Sequence, residues 1–243
     1  MSTNTRNVIV GAAQIYVSNN DGITAPRPTT TTSDLKTLFG TTTGASANAG
    51  IASSGSYRNV GLTNTGLELN YQPTYNEVTV DQLLDAARLF KSALKVELKT
   101  ELTEATLENL QLSWGQMDSY YNANSSAVTA LTDATPITGE QGATLNMAAG
   151  ALGDAPVERV LIAVGNAPYQ LGDSVSGATY SGRNKERVYV ARRVVSMDTT
   201  AHSLKRENAT VFPVAFRMLP DDTNSTYQGA EYGVVIDRVW GSN

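Results

Sequence analysis

The sequence predicts a mainly β fold: a β-sandwich or partly open barrel with one flanking α-helix and long loop insertions. Three observations predict it. Apolar and polar residues alternate with a period of two in several segments, the signature of strands with one dry face. Only one segment recurs at helical spacing and ends in a stop signal. Charged residues make up 17% of the chain while Thr, Ser, Asn and Gly are abundant, a balance of β-rich structural proteins more than of helical enzymes. The 243 residues are read as a single domain, 1–243, with insertions at 18–56 and 116–155.

Val8 to Val17 reads as the first strand, with Ile9, Ala13, Ile15 and Val17 available to one face. Residues 18–56 hold a turn at Asn19 to Gly22, Pro26, Pro28, a threonine run and a stretch of small residues from Gly44 to Gly55. Such a segment buries too little apolar surface to offset its own ordering entropy, so it is expected to be either a functional loop or disordered, with contacts to another subunit as the means of ordering it. Within it, Ser33 to Phe39 fits a short capped helical turn.

The clearest pattern lies between Gly66 and Gly115. Leu67, Leu69 and Tyr71 alternate with Glu68 and Asn70; after an expected tight turn, Val78 and Val80 alternate with Glu77, Thr79 and Asp81. Leu94, Val96, Leu98 and Leu102 then alternate with Lys95, Glu97, Lys99 and Glu101. The reading is strand, turn, strand, long strand, with a dry face and a charged face. After Leu102 the period changes. Thr103 is placed as an N-cap with Glu104 in the first turn, and Ala105, Leu107, Leu110 and Trp114 form the apolar stripe of a helix that ends at Gly115. That stripe needs either its own sheet or a neighbouring chain to lie on.

Beyond Gly115, residues 116–135 are polar and 137–147 fit a weak strand or hairpin. Val160 to Val164 is a continuous apolar run expected as a buried strand, and 166–184 reads as loop. Arg187 to Met197 is rich in β-branched residues. Phe212, Val214, Phe216 and Met218 alternate within 210–219, where Pro213 points to an edge position or an irregular ladder. Tyr232, Val234 and Ile236 share one face of a last strand, 231–239.

Little in the chain suggests catalysis. The single histidine, His202, sits in a polar turn, there is no cysteine, and no serine lies in a nucleophile motif. Asp221 and Asp222 are adjacent in a turn but lack the spacing of a calcium loop. No glycine pattern cradles phosphate, and the Asn-X-Ser/Thr triplets at 124, 208 and 224 read as polar loops. The expectation is no enzyme, no metal and no cofactor. A net charge of −5 has the wrong sign for gripping phosphate. No run approaches a membrane span, and the first residues lack a leader's cleavage signal, so the chain is expected to be made and first assembled in a cytoplasm. Tyr120, Tyr121, Tyr169 and Tyr180, all in loops, offer an alternative role as a carbohydrate- or receptor-binding sandwich of a virion or cell surface.

The order of segments NVG (59–61), GLELNYQP (66–73), EVTVDQ (77–82), a long alternating strand and LTEATLENL (102–110) resembles the core of bacteriophage major tail tube proteins, and VFPVAFRMLPDD (211–222) and YGVVIDR (232–238) resemble that family's closing strands. The resemblance implies a tail-tube-like subunit of a virion, assembled in the host cytoplasm into hexameric rings that stack into a hollow tube and contact other tail proteins. It implies that the hairpin Gly66 to Gln82 lines the lumen, with Glu68, Asn70, Glu77, Thr79 and Asp81 facing passing DNA. Acidic groups there would repel a phosphate backbone over a Debye length of about 8 Å. It further implies that the helix with Ala105, Leu107, Leu110 and Trp114 lies at the subunit border.

Overall fold

The computed structural model describes residues 11, 13–18, 57–79, 81, 85, 87–125, 142–167, 184–197, 201, 209–222 and 227–240. They form β1 (Gln14–Ser18), β2 (Tyr57–Asn59), β3 (Glu68–Val78), β4 (Arg88–Leu102), α1 (Leu107–Trp114), β5 (Tyr121–Ser125), β6 (Gly142–Leu145), β7 (Arg159–Asn166), β8 (Asn184–Ser196), β9 (Phe212–Met218) and β10 (Gly233–Trp240). The expected segments 18–56 (beyond Ser18), the loop tyrosines Tyr169 and Tyr180, and His202 lie outside the described residues.

Eight strands make one antiparallel sheet in the order β2-β1-β7-β8-β9-β4-β3, with β10 also on β8. The sheet is not closed into a barrel. β8 changes partners along its length: Asn184 to Ala191 pair with β10, whereas Val194 to Ser196 pair with β9. Between these stretches its register against β7 slips, Leu161 facing Ala191 but Arg159 facing Val194. A bulge of this kind bends the strand and re-aims its side chains. Tyr189 and Ala191 therefore join one core with Val194, while Val188 and Val190 point into another.

The larger core joins the two halves of the sheet. Ile15, Val17, Leu161 and Ala163 on one side meet Val96, Leu98, Leu102, Phe212, Val214 and Phe216 on the other, with Leu112 of α1 at the margin. This is sandwich-like packing of two inner faces. The second core, on the opposite face of β7 and β8, gathers Tyr57, Val160, Ile162, Val188, Val190 and Ile236. The apolar run expected at 160–164 is thus a strand with residues 160–163 buried on both faces. β10 lies so close to β8 that a Cβ on Gly233 would stand 2.1 Å from the Val190 carbonyl oxygen, so only glycine fits there.

β9 alternates as its sequence indicates, Phe212, Val214, Phe216 and Met218 all being buried. Pro213 faces Glu101 of β4 in a regular ladder, but it lies ahead of the stretch where β9 pairs with β8, so among the described residues its other side is an edge, where a missing N–H is tolerated. Tyr232 departs from the expectation of one shared face with Val234 and Ile236: it packs on the first core and they on the second.

Two expectations are corrected. The tight turn expected within 66–82 does not fall inside Glu68 to Val78, which is a single strand, and residues 80 and 82 lie outside the described residues. Pro73-Thr74-Tyr75-Asn76 has turn composition, but β3 is the last strand of the sheet, and an edge strand tolerates proline because its outer amides have no partner to lose. The helix also begins later than expected. Its N-cap is Thr106, whose hydroxyl accepts from the Asn109 amide at 3.2 Å, while Thr103 instead donates its hydroxyl to the Leu62 carbonyl at 2.9 Å. The end is as expected: Gly115 adopts φ 64°, and its N–H returns to the last-turn carbonyls.

Candidate assembly surface

The long hairpin of β3 and β4 is the feature that distinguishes this chain from a self-contained sandwich. β4 has fifteen residues, and β9 covers its flank only from Glu97 to Leu102. Among the described residues nothing pairs with the outer edge of β3, nor with β4 from Arg88 to Val96 on the side away from β3. The two strands run out from the sandwich as a ribbon. Along it Tyr71, Tyr75, Val78, Leu89 and Phe90 are between 42% and 60% exposed.

Register defines the two faces. Leu69, Tyr71 and Pro73 oppose Leu98, Val96 and Leu94 on the dry face, which runs into the larger core. Glu68, Asn70 and Gln72 oppose Lys99, Glu97 and Lys95 on the other. At Thr74/Tyr75 the register shifts as Ser92 is left without a partner across the ladder, a bulge in β4. Beyond it Lys91 comes onto the face of Tyr71: its ammonium lies 5.4 Å from the ring centroid and donates to the hydroxyl at 3.1 Å.

This geometry separates the residues grouped by sequence as one acidic row. Glu68 is exposed opposite Lys99, and Asn70 is half-buried opposite Glu97. Glu77 is exposed opposite Leu89 on the same strand as Glu68, but an odd number of residues away, hence on the other face. Thr79 and Asp81 are exposed beyond the end of β3. The face that carries Glu68 and Asn70 is also not acidic: Lys95, Lys99 and Arg217 interleave with Glu68, Glu97 and Glu101. Lys95 and Glu97 make an ion pair at 2.5 Å.

The helix stripe is covered by its own chain to a degree the sequence left open. Ala105 is exposed and precedes the helix; Leu107, Leu110 and Trp114 are half-buried. The fully buried positions are Asn109, Gln111, Leu112 and Ser113. α1 packs against β8 and β9 and against the small β5–β6 sheet.

Polar side chains seat it. Asn109 donates through Nδ2 to the carbonyls of Val60 (2.8 Å) and Glu104 (2.9 Å) and accepts from Arg58 Nη1 at 2.8 Å. Arg58 Nη2 donates to the Glu108 carbonyl at 2.7 Å. Burial first, and then the nearby Arg159 charge, lower the Arg58 pKa to about 10. Arg159 pairs with Asp118 at 2.6 Å, and Gln111 donates to the same Asp118 oxygen at 2.6 Å. The Tyr121 hydroxyl donates to Glu108 Oε1 at 2.5 Å; burial and then this bond push its pKa up to about 12. Tyr121 is therefore committed to the fold. None of this network was anticipated from sequence.

Among the described residues there is no group of three or more His, Cys, Asp or Glu side chains able to hold a metal. Asp221 is buried beside Arg193, its N–H donating to the Glu231 carbonyl at 2.9 Å, and Asp222 is exposed. No helix of the described residues is long and apolar enough to cross a membrane. No protein-family model matches the chain, and no curated protein matches it.

Proposed function

We propose that the chain is a structural subunit that polymerises into a tube, of the kind the sequence order resembles: a bacteriophage tail tube protein, built as stacked hexameric rings in the host cytoplasm and conducting DNA through its bore. One observation carries the reading. Among the described residues the β3–β4 ribbon leaves both edges open and apolar side chains bare, a liability that soluble monomers suppress and that closure with sister copies removes. Because the strands of the hairpin are antiparallel, a ring in which each β3 edge meets the neighbour's free β4 edge continues the same antiparallel ladder, and the contact is head-to-tail and closes on itself.

In this ring the polar face with Glu68 and Asn70 looks into the bore, and the dry face continues the sandwich core. Glu77, Thr79 and Asp81 then crown the end of the ribbon instead of extending the lining. The half-buried Leu107, Leu110 and Trp114 lie where a neighbour would complete their burial.

Negative-stain microscopy and sedimentation velocity of the purified chain test the proposal. Rings or tubes are expected, and a variant with Tyr75, Leu89 and Phe90 all changed to Ser should remain a folded monomer. A wild-type chain that stays monomeric at every concentration, or a triple variant that still forms tubes, overturns it.

A further inference from the structure

The polar face of the hairpin carries Glu68, opposite Lys99, and Glu101, but the trough between Lys95, Lys99 and Arg217 is lined by one carboxylate, Glu97. Glu97 lies in an ion pair with Lys95, directly across the ladder from Arg217, and two residues along the strand from Lys99 on the same face. Its pKa is held below the usual carboxylate range, chiefly by the Lys95 hydrogen bond and then by the charges of Lys95, Lys99 and Arg217. Lys95 thus contacts Glu97, and Lys99 and Arg217 flank it on the same face. Ala215, opposite Lys99, is too small to fill the space between Lys99 and Arg217, and a shallow trough results, with Met197 at its side. Cross-strand diagonal neighbours stand about 7–8 Å apart and next-but-one residues of a strand about 6.8 Å apart, so the cations form a spaced row instead of a single point.

We propose that this trough is a weak, sequence-independent track for a nucleic-acid phosphate backbone. Lys95, Lys99 and Arg217 contact the phosphates, and Glu97 competes with the phosphates for all three. The carboxylate sets the strength of the grip. With it in place, each cation that releases a phosphate returns to an internal partner, and a polyanion passes without lodging. Without it the charged lining of the trough is wholly cationic, and its affinity falls with salt as counterions compete. This deepens the tube reading, in which the same face lines the bore, and replaces pure repulsion by an exchange of partners.

The test uses fluorescence anisotropy of a labelled random-sequence DNA duplex with the unassembled chain, at low and at physiological salt. Glu97→Gln should bind about tenfold more tightly than wild type at low salt and lose that gain at physiological salt. Glu77→Gln, with the same change of net charge but on the other face, should behave as wild type. Adding Lys99→Gln and Arg217→Gln to Glu97→Gln should remove the gain. An unchanged affinity in Glu97→Gln, an equal gain in Glu77→Gln, or a gain that survives loss of Lys99 and Arg217 overturns the track. Assembly is read separately by microscopy: tubes without a gain in Glu97→Gln leave the tube reading and end this one, and a gain without tubes does the reverse.

Discussion

β7 and the outer half of the β3–β4 hairpin both carry large apolar side chains, and those side chains meet opposite fates. Val160, Leu161, Ile162 and Ala163 are each 0% exposed, whereas Leu89 is 60%, Tyr75 57% and Phe90 46% exposed. β7 has a strand on each side and a core on each face. Among the described residues the ribbon has neither over its outer part. Apolar content alone therefore does not decide burial; the number of elements packed around a strand does. Fully burying one such side chain contributes roughly 1.5–3 kcal/mol, so a ribbon that bares several of them holds a large unspent driving force for association. The inner region stabilises the chain, and the outer region is where the proposed assembly would join subunits.

The sharpest way to test this division is to damage the inner region and compare. Arg159 and Asp118 have side chains only 7% and 13% exposed. Arg159→Met leaves the Asp118 carboxylate buried with a neutral Gln111 donor and should cost about 3–5 kcal/mol in urea unfolding. A loss under about 1 kcal/mol would mean that the ion pair is not what ties α1 and the following segment to β7. Ile162→Ala comes next: a methyl-lined void in a fully covered strand should cost about 2–5 kcal/mol. The same truncation at Leu89 should stay within about 0.5 kcal/mol for the unassembled chain while weakening polymerisation. Equal costs at Ile162 and Leu89 would erase the distinction between the two regions.

What the sequence revealed follows the same line. Segments whose fate depends on local alternation were legible: Phe212 to Met218, the run at 160–164, and a helix closed by Gly115. Features decided by distant partners were not. Thr103 and Thr106 are equally good caps by residue type; only the bond of Thr103 to Leu62, far back in the chain, takes the first out of contention. Pro73 looks like a turn until the strand is known to be an edge. Arg58 and Asn109, or Arg159 and Asp118, meet across spans of 51 and 41 residues, and no spacing rule announces such a pair. The acidic row differs for a related reason: alternation puts Glu68 and Glu77 on one face only if a turn separates two strands, and the single strand from Glu68 to Val78 sends them to opposite faces.

The cap provides a smaller test of the helix seat. Thr106→Ala removes the acceptor for the Asn109 amide and should cost about 1 kcal/mol, read as a shift in the urea midpoint at constant slope. No shift would return the helix start to Thr103.

The smallest expected effect is the most specific to one atom. The Tyr121 phenol, held neutral by burial and by its bond to Glu108, has its pKa pushed up to about 12 from the ordinary 10.0. A folded pKa above the unfolded one means that the stabilisation is complete below pH 10 and is lost as the pH climbs from there through 12. Ultraviolet difference titration of the native chain should show a late-ionising phenol that Tyr121→Phe removes. Tyr16 is also raised, by burial, so the variant is needed to assign the late step. The stability gap between wild type and Tyr121→Phe should narrow over the same interval. If Tyr121→Phe leaves the late step untouched, the hydroxyl does not bond to Glu108, and the β5 end of the helix seat is held by packing alone.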